Sequence, residues 1–135
     1  MTDLVIDASA FVFAKAEQHT AAVAMNDRFD DTVCHAPHVV DAEVGHALRK
    51  LERVGEIGHE LAASALSDLW WTIDERYPHT GALTDLAWQM RQYMSFYDGL
   101  YVALACLLDV PLLTADARLA KAAADLPCEV ELITA

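Results

Sequence analysis

Positive charge is scarce in this chain: 9 Lys and Arg stand against 21 Asp and Glu over 135 residues, a formal net charge of -12. That balance excludes a surface that grips a polyanion through its phosphates unaided. If a phosphodiester substrate is to approach, divalent cations or a basic partner must supply the missing charge. Cysteine is also sparse. Cys34, Cys106 and Cys128 are odd in number, far apart and form no C-x-x-C, which excludes a disulfide framework and a thiolate zinc site and suits a reducing, cytoplasmic home. With 5 Gly and 4 Pro there is no flexible linker or low-complexity tract, so residues 1–135 are expected to form a single domain. The start of the chain lacks the basic and apolar regions of a signal peptide. The longest apolar run, Leu100 to Leu108, is too short to cross a bilayer. No H-E-x-x-H, G-x-S-x-G, P-loop or G-x-G-x-x-G is present, which removes the main motif-bearing enzyme classes.

What the chain does have is apolar residues, 55% by composition, arranged in alternating strand-like and helix-like patterns. Leu4-Val5-Ile6 predicts a buried strand, followed by helices over Ala10 to Glu17 and Thr20 to Phe29. Val33 to Ala36 predicts a second strand. Val39, Val40, Val44, Ala47, Leu48 and Leu51 then recur at helical spacing up to a stop at Val54-Gly55. A helix over Glu60 to Trp70, a weaker strand at Trp71-Thr72-Ile73, and helices from about Leu83 to Met94 and from Gly99 through Leu108 follow. Pro111 to Thr114 is a strand, Arg118 to Ala124 a short helix, and Glu129 to Ile133 a last strand. Strands separated by helices throughout imply a parallel sheet covered on both faces, an α/β fold.

In such a sheet the ligand crevice lies beyond the carboxyl ends of the strands, so acids there are the first to examine. Asp7 and Asp116 each follow a predicted strand, and Asp98 precedes the most apolar helix. An Asp ahead of a helix is most often an N-cap, and each of these three has that reading beside the functional one. Glu43 is different. Its neighbours three and four positions away are Val39, Val40 and Ala47, an apolar stripe where a carboxylate must be paired, protonated or metal-bound. Carboxylates converging at one end of a sheet repel, and Mg²⁺ or Mn²⁺ is the simplest remedy. Such ions support phosphodiester hydrolysis.

Val5-Ile6-Asp7-Ala8-Ser9, Glu43 within Pro37 to Leu48, Tyr97-Asp98 before an Ala/Leu-rich helix, and Leu113-Thr114-Ala115-Asp116 together resemble the PIN-domain ribonucleases of the VapC toxin type. The resemblance runs over essentially the whole chain. It implies a three-layer α/β/α sandwich with a central parallel sheet, Mg²⁺-dependent endonucleolytic cleavage of RNA, a homodimer, and inhibition by a small cognate antitoxin, expected to carry a basic segment. By the same resemblance Asp7, Glu43, Asp98 and Asp116 form the acidic quartet, with Ser9 and Thr114 as hydrogen-bonding support. Asp7, Asp98 and Asp116 would hold metal directly or through water, and Glu43 would be a ligand or orient the attacking water. Asp116 is the member that depends most on the resemblance.

Among the few cations, Arg118 is a candidate phosphate contact, and Arg49, Lys50 and Arg53 read more simply as a solvated helical face. Trp70, Trp71 and Trp88 are expected in the core or in dimer contacts rather than under bases. Two E-x-x-H copies, Glu43 to His46 and Glu56 to His59, suggest a di-iron bundle, but Gly55 and Gly58 interrupt the second copy and strand signals stand at both ends of the chain. His35 and His38 read as turn or surface histidines. The remaining alternative is a catalytically inactive PIN-like domain that binds a partner or RNA.

Overall fold

Alternation of short apolar strands with amphipathic helices gives, in a computed structural model that describes residues 2–134, five strands and seven helices. In chain order they are β1 (Thr2–Ile6), α1 (Ala8–Ala16), α2 (Thr20–Asp30), β2 (Thr32–Pro37), α3 (Val39–Arg53), α4 (His59–Thr72), β3 (Glu75–Tyr77), α5 (Ala82–Gln89), α6 (Phe96–Leu108), β4 (Leu112–Thr114), α7 (Ala117–Ala122) and β5 (Val130–Leu132). The strands form one parallel sheet in the order β3-β2-β1-β4-β5. Leu4, Val5 and Ile6 of β1 are all buried, as a central strand covered on both faces requires.

Right-handed crossovers place α1 to α4 on one face of this order and α5 to α7 on the other. The contacts agree: α1 packs on α2, α3 and α4, whereas α5 packs on α6. The expected three-layer α/β/α sandwich is therefore the fold. Chain direction across the sheet reverses between β1 and β4, where Val5 pairs with Leu112 and Ile6 with Leu113. Such a switch point opens a crevice at the carboxyl ends of the two strands.

Helix α6 is buried on every residue from Gly99 to Ala105. This all-round burial explains why the segment carries no polar stripe, and each large side chain on it contributes roughly 1.5–3 kcal/mol of apolar burial. Gly99 permits the close packing: a β-carbon there would stand 3.2 Å from the carbonyl oxygen of Ala87 in α5.

Two expectations are corrected. Trp71-Thr72-Ile73 is not a strand but the end and C-cap of α4. Buried Ala65, Leu69 and Ile73 continue a four-residue helical stripe, which outweighs the β-branched pair Thr72-Ile73. The third strand is Glu75–Tyr77, whose charged residues suit the sheet edge that it occupies and hide it from a search for apolar runs. Nor does a helix run from Leu83 to Met94 with the next starting after Asp98: α5 stops at Gln89, and Ser95 caps α6 through a hydrogen bond from the Asp98 amide at 3.1 Å. Asp98 thus stands in the first turn of α6 and is not its cap.

The tryptophans are also not core residues. Trp70, Trp71 and Trp88 are 68%, 80% and 58% exposed, with the guanidinium of Arg76 over Trp70 and that of Arg91 over Trp88. Among the described residues no helix is long and apolar enough to cross a membrane.

Candidate active site

Asp7 is the residue immediately after β1, at the switch point, and serves as N-cap of α1 by accepting the Ala10 amide at 2.8 Å. The same carboxylate accepts the Ser9 hydroxyl at 2.7 Å on Oδ1 and the Thr114 hydroxyl at 2.5 Å on Oδ2. Those hydroxyls have their protons directed by the backbone of the β4–α7 turn. Ser9 Oγ accepts the Ala115 amide and Thr114 Oγ1 accepts the Asp116 amide, each at 3.0 Å, which leaves each hydroxyl proton for Asp7. Ser9 and Thr114 therefore support Asp7 as expected, and the link joins segments more than a hundred residues apart in the chain.

Three donors favour the ionised form of Asp7, yet burial opposes it more strongly. With the side chain almost fully enclosed and the Asp98 charge adding repulsion, the Asp7 carboxyl is pushed up to about 6. Asp98, half-buried, is also raised, first by burial and then by the Asp116 charge. Glu43 is raised by burial and by Asp98, partly offset by a hydrogen bond from Tyr101. The three acids thus sense one another and a fourth.

That fourth acid, Asp116, follows β4 and caps α7, its Oδ1 accepting the Arg118 amide at 2.9 Å and the Leu119 amide at 3.4 Å. The cap reading holds for Asp7 and for Asp116, and a capping carboxylate uses only part of its acceptor capacity and leaves the rest. Glu43 lies in α3 on the side facing the cleft, where the Tyr101 hydroxyl donates to its Oε1 at 2.6 Å. All four acids and Ser9 line one cleft of about 1050 Å³. Val12, Phe13, Leu51 and Val54 add apolar surface to its lining, beside Glu17, Lys50 and Glu56.

The scarcity of positive charge persists at the site. Among the described residues no Lys or Arg pairs with Asp7, Glu43 or Asp98, and Arg118, with a side chain 90% exposed, reaches Asp116 at 3.7 Å. Of the helical trio Arg49, Lys50 and Arg53, Lys50 alone lines the cleft. The E-x-x-H copies do not converge: His46 lines the cleft, while the second copy falls in the turn between α3 and α4 and the first residue of α4. His35 is not a surface histidine; it lies in β2, bonded to Tyr77 and Asp3 at 2.7 and 2.8 Å.

The donor chemistry fits a hard divalent ion, since every group is a carboxylate and the charges are mutually destabilising without one. Each acid also retains acceptor capacity after its bonds to the protein. Among the described residues no three His, Cys, Asp or Glu side chains stand close enough together to hold a metal ion between them.

Tyr101 escaped the sequence reading. Its signal was available: three residues after Asp98, it is a lone hydroxyl in an otherwise apolar run.

The PIN domain family model matches residues 4–125. Ribonuclease VapC1 of Mycobacterium tuberculosis is 49% identical over 133 residues, covering 98% of this chain and 99% of the relative. Ribonuclease VapC9 of the same organism is 36% identical over 121 residues, covering 86% of this chain and 87% of the relative. In fold, the chain is similar to a chain of the VapBC2 complex of Rickettsia felis, with a TM-score of 0.71 at 14% identity over 96% of this chain and 98% of that one. It is similar also to M. tuberculosis VapC20, a Sarcin-Ricin loop cleaving toxin, with a TM-score of 0.62 at 19% identity over 88% and 94% of the two chains.

Proposed function

The chain belongs to the PIN-domain family, among the VapC ribonucleases, and from that footing we propose that it is a Mg²⁺- or Mn²⁺-dependent endoribonuclease, the toxin of a toxin-antitoxin pair. The observation that carries the reading is the cleft itself: four carboxylates at a sheet switch point, three of them partly tied by hydrogen bonds and partly free, with almost no cation to neutralise them.

In this reading Asp7, Asp98 and Asp116 hold the ion, directly or through water. A divalent ion there neutralises charge on the scissile phosphate and lowers the pKa of a water. The residues of the chain do the rest. Ser9 and Thr114 hold Asp7 in one orientation, so that it is preorganised before substrate arrives. Glu43 offers its remaining oxygen toward the cleft, placed to orient a water or accept its proton as it attacks phosphorus and the P–O bond to the leaving ribose oxygen breaks. Arg118, exposed beside Asp116, is a cation available to a flanking phosphate, and Lys50 is a second one on the cleft wall.

The solved structures similar in fold include a member of the VapBC family of toxin-antitoxin systems, and the cleft of this chain suits an antitoxin segment that combines apolar side chains for Val12, Phe13, Leu51 and Val54 with a basic group for the carboxylates. A homodimer in the cytoplasm belongs to the same reading.

The test is incubation of purified protein with a mixed RNA pool in Mg²⁺, Mn²⁺ or EDTA, beside Asp98→Asn, with the new ends mapped. Cleavage with either ion, absent in EDTA and reduced at least about 100-fold in the folded variant, is expected. A variant that cuts at the parental rate removes this site from the reaction. A parent that binds RNA or a partner without cutting favours the inactive binding domain.

A further inference from the structure

Tyr101 is one of the largest fully buried side chains in the protein, 1% exposed, and its ring belongs to the hydrophobic core. It nevertheless borders the cleft. The hydroxyl has one protein partner among the described residues, Glu43 Oε1 at 2.6 Å, across 58 positions of sequence and between α6 and α3. A phenol has one proton to donate, so this bond commits it fully. Burial and the negative charges of Glu43, Asp7 and Asp98 push the phenol well above its ordinary range, which keeps it a donor and removes it from acid–base chemistry.

Glu43 needs such a tie. Its neighbours Asp7 and Asp116 are short and are held by caps at the starts of helices, whereas glutamate has a longer side chain with more freely rotating bonds and projects from the middle of α3. Among the described residues no Lys, Arg or backbone N–H holds it; the Tyr101 hydroxyl does. Tyr101 also stands one helical turn beyond Asp98, so α6 places an acid and the clamp on a second acid on the same side.

We propose that Tyr101 is a positioning residue for the ribonuclease reaction: its buried hydroxyl captures Oε1 of Glu43 and thereby presents Oε2 alone, in one orientation, to ion and water in the cleft. The inference rests on the proposed ribonuclease function and assigns Glu43 to single-oxygen action. Fixing a reacting group to within a fraction of an ångström is where such a residue acts, and a misplacement of about 1 Å can cost about 10²-fold in rate.

The experiment uses four full-length proteins: the parent, Tyr101→Phe, Glu43→Gln and the double variant. Phenylalanine keeps the buried ring and removes the oxygen. Glutamine keeps an acceptor for Tyr101 and removes the charge, so it approaches the same link from the other side if Tyr101→Phe folds poorly. Thermal unfolding, Mn²⁺ affinity by calorimetry, and kcat and KM for an RNA that the parent cleaves are measured on each.

For Tyr101→Phe, kcat is expected to fall about 10- to 100-fold with KM within about twofold. Mn²⁺ affinity should weaken in the same direction as in Glu43→Gln. Added to Glu43→Gln, the tyrosine change should alter neither kcat nor Mn²⁺ affinity by more than about twofold, because the oriented charge is already gone. An unchanged kcat in folded Tyr101→Phe overturns the proposal. So does an effect of Tyr101→Phe that is as large in the Glu43→Gln background as in the parent, since that marks a general loss of packing. A parent that neither binds Mn²⁺ nor cleaves RNA overturns the ribonuclease reading first, a result distinct from an active parent with an indifferent tyrosine.

Discussion

Carboxylates are treated in opposite ways in two regions of this acidic chain. On the flanks two of them are paired with arginine. Arg76 holds Asp41 through two bonds of 2.8 and 2.9 Å, and Arg28 holds Glu131 in the same two-pronged manner. In the cleft, hydroxyls hold Asp7 and Glu43, a backbone amide adds to Asp7, and among the described residues no Lys or Arg forms an ion pair with Asp7, Glu43 or Asp98. The proton affinities follow. Arg28 holds the Glu131 carboxyl below the usual range, whereas burial and neighbouring acids raise all three cleft carboxyls. With only 9 Lys and Arg available, none is spent on the most enclosed acids, and that is hard to reconcile with a purely structural role for them.

The contrast makes opposite pH dependences, and the largest effect is expected at Asp7. A carboxyl raised on folding from 3.8 to about 6 stabilises the fold below the lower value and loses that contribution as pH rises through the higher one. The loss amounts to at most roughly 3 kcal/mol. In EDTA, the stability of the parent relative to Asp7→Asn should therefore decline from pH 4 to pH 7, and Mg²⁺ should restore part of it at pH 7. Urea titrations of both proteins across that range check the expectation. A difference that stays flat with pH would erase the distinction between cleft and flank.

A smaller effect of the opposite sign is expected from Arg28→Ala. Because Glu131 is lowered on folding, its contribution is present above its ordinary value and is lost as pH falls through the folded one. Both side chains are more than a third exposed, so the pair is worth about 0–1 kcal/mol. Arg28→Ala should lower the urea midpoint at pH 7 by a correspondingly small amount, and the difference should shrink as pH falls below the ordinary carboxylate range. RNA cleavage should stay within about twofold, since the pair stands away from the cleft. A large loss of cleavage would show that flank and cleft are coupled.

The smallest effect concerns the one arginine that does stand beside a cleft acid. Arg118→Ala is expected to raise KM for RNA a few-fold, leave kcat nearly unchanged, and reduce the salt dependence of binding by about one phosphate contact. Binding measured at several salt concentrations decides it: an unaltered slope would return Arg118 to a solvated surface role.

Much of this was legible in local sequence. Leu4-Val5-Ile6 ending in Asp7 is a buried strand running into a helix cap, and Leu113-Thr114 followed by Asp116 repeats the pattern, so short-range rules marked both acids at strand ends, while the role of Asp116 rested most on the family resemblance. Glu43 was conspicuous because an apolar stripe surrounds it. The third strand was not legible, since an edge strand of Glu75, Arg76 and Tyr77 is polar for a reason that exists only once the sheet has an edge. Trp71 and its neighbours read as a strand because β-branched and aromatic residues carry that preference, until burial of Ala65, Leu69 and Ile73 decided for helix.

The sequence by itself determined the parallel α/β class and the shortage of cations, because periodicity and charge are properties of short stretches, and it marked the four acids as candidates through strand ends, an apolar stripe and the family resemblance. Tertiary structure decided what each acid can do. That Asp7 is held by Thr114, that Glu43 surrenders one oxygen to Tyr101, and that Asp98 raises both are facts about atoms brought together from distant parts of the chain. Hydrogen bonds and charge repulsion act over a few ångströms, and only the packed sheet and its two helical layers set those distances.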